Sequence, residues 1–211
     1  ALTVLDIEKF AAAAHRHGVP LIVDNTFPTP INCRPFEWGA DIVTHSTTTY
    51  MDGHASCVGG CIVDGGKFDW TAHADKFPGL TTPDDSYHGV TYTERFGLGG
   101  AFITKCTAQL MRDFGCVQSP QNAYILNLGL ESLPLRMKQH SDVALAVAEF
   151  LESCPATRFV WYPGLKSHPQ HDRAEKLMHG EYSGMISFDL KGDEKQHEKF
   201  LDSLRLVTHA V

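Results

Sequence analysis

Two short apolar runs, Leu21-Ile22-Val23 and Ile42-Val43-Thr44, do most to restrict what this chain can fold into. Each is rich in β-branched residues and too short for a helix, so each reads as a buried strand. Polar residues close both runs: Asp24 after the first, His45-Ser46 after the second. Helical patterns stand before them. Asp6 to Gly18 carries an apolar stripe of Ile7, Phe10, Ala11 and Ala14, with Asp6 placed to cap its start and Gly18 to end it in the left-handed conformation. Arg34 to Trp38 supplies a helical turn before Gly39, and Gly59 to Val63 reads as a third strand. Helix and strand in alternation with tight links predict an α/β fold around a mostly parallel sheet.

Residues 64 to 100 are rich in Gly, Pro, Thr and Asp with little periodicity, which predicts a long surface excursion of the kind that usually serves function or an interface. Helix resumes from Ala101 to Phe114. Ser119 and Pro120 have the form of a cap and a first helical residue. A long helical pattern runs from Leu133 to Ser153, with Leu133, Met137, Val143, Ala144, Val147, Ala148 and Leu151 as its apolar set. Pro134 and the change of pattern around it set a domain boundary, with residues 1–133 as a large domain and 134–211 as a small α+β domain. In the second, strands are expected at Arg158–Tyr162 and Met185–Leu190, and helices at His171–Met178 and from Glu194 onward. The chain lacks an initiating Met, and Phe200 to Val211 reads as helix to the end. We therefore read it as an interior piece of a longer protein, with both domains incomplete.

Composition excludes several classes. A formal net charge of −7 over 211 residues argues against nucleic-acid binding, which asks for a basic face. No apolar run approaches the roughly 18 residues of a membrane helix, and Ala1 to Asp6 has no basic stretch of a signal peptide. The six cysteines, Cys33, Cys57, Cys61, Cys106, Cys116 and Cys154, are scattered without a CxxC pair and read as reduced thiols of a cytoplasmic protein. The closest metal-ligand pairs are Cys57/Cys61 and His168/His171. Neither has a second pair at zinc-site spacing, so no metal site is expected.

Asp24 is a candidate site residue because ligands of open α/β sheets bind beyond the carboxyl ends of the strands. Its rival role is a turn aspartate, since Asp-Asn is a common turn pair. Ser46 and Thr48 lie 22 and 24 residues further on, at the end of the next strand. Alternate hydroxyls there can join backbone N–H groups in binding a phosphate, or simply polarise a strand end. Order and spacing relative to Asp24 strengthen the first reading.

The stretches Val23–Thr48, Tyr50–Trp70, Phe77–Gly97, Gln109–Gly115, Asn127–Met137 and Tyr162–His171 resemble the Cys/Met-metabolism family of pyridoxal-phosphate (PLP) enzymes, and within it the O-acetylhomoserine sulfhydrylase branch. The length of the Asp64–Gly97 excursion favours that branch. The resemblance implies a fold type I PLP-transferase architecture and a homotetramer built as a dimer of dimers. It implies γ-replacement, in which O-acetyl-L-homoserine and sulfide or a thiol give L-homocysteine and acetate. Carried over by position, Asp24 matches the partner of the PLP ring nitrogen, and Ser46 and Thr48 match the phosphate-side hydroxyls. Thr49 stands where the family has the lysine that binds PLP covalently and moves protons, and a threonine can do neither. An engineered or erroneous Lys→Thr change fits the intact surroundings best; a natural pseudoenzyme, or a stand-in for a cofactor-bearing lysine, would leave the same pattern. Methionine γ-lyase or cystathionine γ-synthase chemistry and a non-catalytic subunit are the rival functions. The resemblance also implies that the phosphate-cup glycines, a ring-stacking tyrosine and the arginine for the substrate carboxylate lie outside this stretch.

Overall fold

Asp6 caps as expected: its carboxylate accepts the N–H of Lys9 at 3.2 Å and opens helix α1, Ile7–Arg16. The computed structural model describes residues 2–208. The inward face of α1 is narrower than the sequence suggests. Ile7 and Ala11 are buried, whereas Phe10, at the flank of the stripe, is 52% exposed. Strand β1 (Ile22–Asp24) follows, then the short helix α2 (Thr29–Asn32), a helical turn at Pro35–Trp38, and strand β2 (Ile42–Ser46). β1 and β2 pair in parallel, with Ile22 opposite Ile42 and Asp24 opposite Thr44.

Strand β3 (Gly60–Asp64) departs from the expected mostly parallel sheet. It pairs antiparallel with β2, Ser46 facing Gly60, so the described sheet has the order β1-β2-β3 with one parallel and one antiparallel pair. The reason lies in the connection. Residues 47–59 hold turns and no helix, and a chain that is not carried back across the sheet can only return along its neighbour in reverse. β1 was expected to be buried, but it is an edge strand here and Ile22 is 54% exposed.

The excursion over 64–100 is packed rather than loose. It contains a helical turn at Thr71–His73, helix α3 (Pro78–Thr81) and a turn at Asp85–Tyr87. Its aromatic side chains build a cluster of their own, in which Phe68, Trp70, Leu80 and Tyr92 pack with Ile42 of β2 and Ala101. Trp70 stacks on Phe102 at 5.6 Å, and the Asp84 carboxylate receives the Lys105 ammonium at 2.6 Å and the Tyr92 hydroxyl at 3.1 Å. Helix therefore resumes earlier than expected: α4 (Tyr92–Thr104) runs through a π-helical stretch, Lys105–Met111, into α5 (Arg112–Phe114).

Ser119 accepts the N–H of Asn122 and opens α6 (Pro120–Ser153), a single helix of 34 residues that begins well before Leu133. Its buried line is Gly129, Leu133, Met137, Ser141, Ala144 and Ala148; Val143 and Val147 face outward. Pro134 lies inside the helix, so the division at 133/134 falls within one element. Beyond α6, β4 (Thr157–Trp161) and β5 (Ser187–Leu190) form a separate antiparallel sheet, with α7 (His171–Met178) and α8 (Glu194–Ser203) alongside in sequence. The two sheets share no strand pairing. One apolar cluster nevertheless joins residues before α6 to those of α6 and beyond: Val4, Ile7, Cys33, Ala40 and Val43 pack with Ala144, Ala148, Tyr162, Leu165, Ala174, Leu177 and Tyr182. The helix expected to the end of the chain stops at Ser203, and 209–211 lie outside the described residues.

Candidate functional site at the strand ends

The parallel register of β1 and β2 brings Asp24 and Ser46 to the carboxyl ends of neighbouring strands. A residue that sequence reasoning passed over joins them. The Asp24 Oδ1 accepts the Thr26 N–H at 3.0 Å and the Thr26 hydroxyl at 2.5 Å, an Asx-type turn. The same hydroxyl oxygen accepts the Ser46 N–H at 2.7 Å. Thr26 is buried, so one hydroxyl uses its single donor on the carboxylate and a lone pair on the next strand. Asp24 itself is exposed, and among the described residues its Oδ2 receives no hydrogen bond. The signal was present in the sequence as Asp24-Asn25-Thr26, a turn tripeptide directly after an apolar run.

Asn25 is 2% exposed and extends the ladder by giving its N–H to the Thr44 carbonyl at 2.9 Å, while its side-chain amide donates to the Cys33 carbonyl. Its own carbonyl accepts from Thr29, a fully buried residue at φ 57. A β-branched residue in the left-handed region carries strain of order 1–3 kcal/mol and persists only where its surroundings fix it. Here α2 does so, through Asn32 and its bond to Ser141 on α6.

Residues 47–50 turn away from the end of β2. Thr48 accepts the Gly59 N–H at 3.0 Å and points its O–H at the Gly59 carbonyl at a long 3.4 Å, so the donor remains easy to redirect toward an anion. Thr49 is exposed on this turn, its N–H toward the Ser46 carbonyl at 3.4 Å. The segment that follows is anchored by Asp52, which is fully buried and takes the N–H and hydroxyl of Ser56. The Ser56 N–H, with help from its hydroxyl and the Cys57 N–H, holds the Asp52 carboxyl below the usual range against its burial.

Asp24 and Asn25 line a cavity of about 350 Å³ between the 2–5 segment, the end of β1, and Tyr182, Ser183 and Met185. That volume suits a small cofactor or substrate. Ser46, Thr48 and Thr49 do not line it; they stand on the neighbouring strand end and turn. His45 is buried with its Nδ1 unpartnered among the described residues. Burial pushes its imidazole pKa down, while the Asp24 charge and a bond to the Asn25 backbone oppose the shift. His168 and His171 are committed locally, the first accepting from the Gln170 N–H, the second bonded to the Pro163 carbonyl.

The stretch 1–211 matches the family described as Cys/Met metabolism PLP-dependent enzyme. A homocysteine/cysteine synthase of Kluyveromyces lactis is 45% identical over 89% of this chain and 42% of its own length. An O-acetyl-L-homoserine sulfhydrylase of Leptospira meyeri is 43% identical over 98% of this chain and 48% of its own. The chain thus spans about half the length of the curated relatives it matches. A crystal structure described as an O-acetylhomoserine (thiol)-lyase of Campylobacter jejuni, with N'-pyridoxyl-lysine-5'-monophosphate, superposes with a TM-score of 0.92 at 34% identity, covering 99% of this chain and 51% of that one. With a carboxylate and a hydroxyl at adjacent strand ends and a match along its whole length, the chain belongs to the Cys/Met-metabolism family of PLP-dependent enzymes.

Proposed function

We propose that this chain supplies the floor of a PLP site in an enzyme of the O-acetylhomoserine sulfhydrylase class, and that Thr49 leaves it without a covalent anchor for the cofactor. The observation that carries the reading is the pairing of Asp24 with Ser46 through the Thr26 hydroxyl at the carboxyl ends of two parallel strands. The residues suit a noncovalently held cofactor. Asp24 has a carboxylate oxygen free to hold a protonated ring nitrogen, and Ser46 and Thr48 offer hydroxyls to a phosphate. When bound, PLP supplies an electron sink for the pair released as the substrate's Cα loses its proton. Asp24 would keep the ring protonated, and Thr26 would keep Asp24 aimed. Thr49 offers an aliphatic hydroxyl, which neither attaches the cofactor nor moves a proton near neutral pH.

The reaction assigned to the complete protein is replacement of acetate on O-acetyl-L-homoserine by sulfide or a thiol, giving L-homocysteine. The names of the relatives support this substrate over methionine or cystathionine. A homotetramer is proposed with it, supported by exposed apolar side chains along α6, among them Tyr124, Leu135 and Phe150. A second reading, a non-catalytic subunit, is favoured by Thr49 itself. The test compares the full-length protein with its Thr49→Lys variant for homocysteine release and for cofactor fixed by borohydride reduction and read by mass. The expected outcome is release and fixation in Thr49→Lys alone. Fixation without homocysteine would exclude the sulfhydrylase assignment, and neither would favour the non-catalytic subunit.

A further inference from the structure

Resting on that reading, we propose that Arg136 is a positioning residue, which aims the side chain at position 49 by gripping the backbone of the turn that bears it. The turn's tight backbone bonds lie at its ends, Thr47 N–H to the Gly59 carbonyl at 2.9 Å and Asp52 N–H to the Thr47 carbonyl at 3.0 Å, whereas at position 49 itself the N–H stands a long 3.4 Å from the Ser46 carbonyl. Between those ends the turn is gripped from outside. Arg136 reaches across from α6 and donates from Nη1 to the Tyr50 carbonyl at 2.7 Å and from Nη2 toward the Met51 carbonyl at 3.4 Å. The rest of the guanidinium is locked to its own helix, Nη2 to the Gly129 carbonyl at 2.8 Å and Nε to the Ser132 hydroxyl at 2.9 Å. All four acceptors are uncharged, and burial pushes the Arg136 pKa down, with only the more distant Asp52 charge opposing.

Two glycines make room for this clamp. A Cβ at Gly129 would lie 2.1 Å from the Asp52 carbonyl oxygen, and one at Gly53 would lie 2.6 Å from Arg136 Cζ. Helix, guanidinium and loop backbone are therefore in direct contact. Apolar side chains would pack a helix on a loop without placing a cation among neutral carbonyls. What the planar fork adds is direction: it fixes the Tyr50 carbonyl, one residue beyond position 49, and steers the Met51 carbonyl more loosely. On the other flank the Tyr50 hydroxyl meets Ser183 and Gly184, so the turn is held from two sides.

The test follows amide hydrogen exchange over residues 43–53 of the full-length protein, in the parent chain and in Arg136→Met and Arg136→Lys. Ser132→Ala, which frees only the Nε anchor, is the milder variant should Arg136→Met not fold. At least a tenfold loss of protection is expected at Asp52, whose N–H bonds the Thr47 carbonyl, with partial recovery in Arg136→Lys and unchanged protection at Val43 and His45. In a Thr49→Lys background, Arg136→Met should lower kcat for homocysteine formation about 100-fold, the cost of an ångström-scale misplacement, with KM for O-acetylhomoserine held within threefold. Unchanged exchange at Asp52, loss spread evenly along the chain, or an effect confined to KM would overturn the proposal. No fixed cofactor in Thr49→Lys with Arg136 intact would refute the PLP reading instead, and the exchange result would still decide the role of Arg136.

Discussion

One hydroxyl, that of Thr26, sits between the carboxylate of one strand and the backbone of the next, and its removal separates two effects. Thr26→Val keeps the shape and leaves the Ser46 N–H without its acceptor, which should cost about 1–3 kcal/mol of stability by urea denaturation. Asp24→Ala in the full-length protein should weaken PLP retention by the worth of a charge-assisted bond, about 1.5–3 kcal/mol or roughly 10- to 100-fold in affinity. Asp24→Asn should keep part of the affinity, as equilibrium dialysis would show; unchanged retention in Asp24→Ala would contradict the ring-nitrogen assignment. At this scale the sequence was informative on placement, since Asp24 and Ser46 stand at the strand ends where the apolar runs stop. It was silent on Arg136, because the two loop carbonyls that its guanidinium grips stand 85 and 86 residues away and no local pattern marks them.

Elements were legible wherever period and punctuation agreed. Asp6, the alternation around β1 and β2, Ser119-Pro120 and the His171–Met178 helix all carry local signals, and all stand near their expected places. The direction of β3 was not legible, since five apolar-leaning residues read the same either way and only the helix-free connection decides it. Nor was the packing of the 64–100 excursion, whose Phe68, Trp70, Phe77 and Tyr92 fall at irregular intervals that no helical or strand period detects. Within α6, Gly129 yields a prediction whose sign runs against helix propensity. Gly→Ala in a helix interior normally gains about 1 kcal/mol. Here the added methyl meets the Asp52 carbonyl, so Gly129→Ala should lower the melting temperature. A rise would mean that the loop yields freely.

At the scale of the whole molecule, the buried proton-holding groups set a limit on the alkaline side. Burial, with Glu37 adding, pushes the Cys33 thiol from 9.0 up to about 11. Burial and the Asp84 carboxylate push Tyr92 from 10.0 up to about 12. Burial also moves Tyr162 and Tyr182 upward. The folded state keeps these protons while the unfolded chain releases them, so the stabilisation is complete below pH 9 and declines from there through 11 for Cys33, and from 10 through 12 for Tyr92. Urea midpoints taken from pH 8 to 11 should fall above pH 9, and Cys33→Ala should flatten the first part of that fall; a midpoint independent of pH would refute the linkage. The apolar cluster that takes Val4 and Val43 from before α6 and Ala148 and Tyr182 from α6 and beyond bears on how such genes can be recombined. A chimaera joined at Pro134 would pair half of α6 with a foreign half and set two unmatched sides of one interior against each other. Joined in the stretch between α5 and α6, the exchange keeps the 34-residue helix whole and moves the mismatch to the faces that α6 and the residues beyond it share with α1, α2, β2 and the 50–53 turn, where pairs such as Asn32 with Ser141 and Met51 with Met137 would be co-selected.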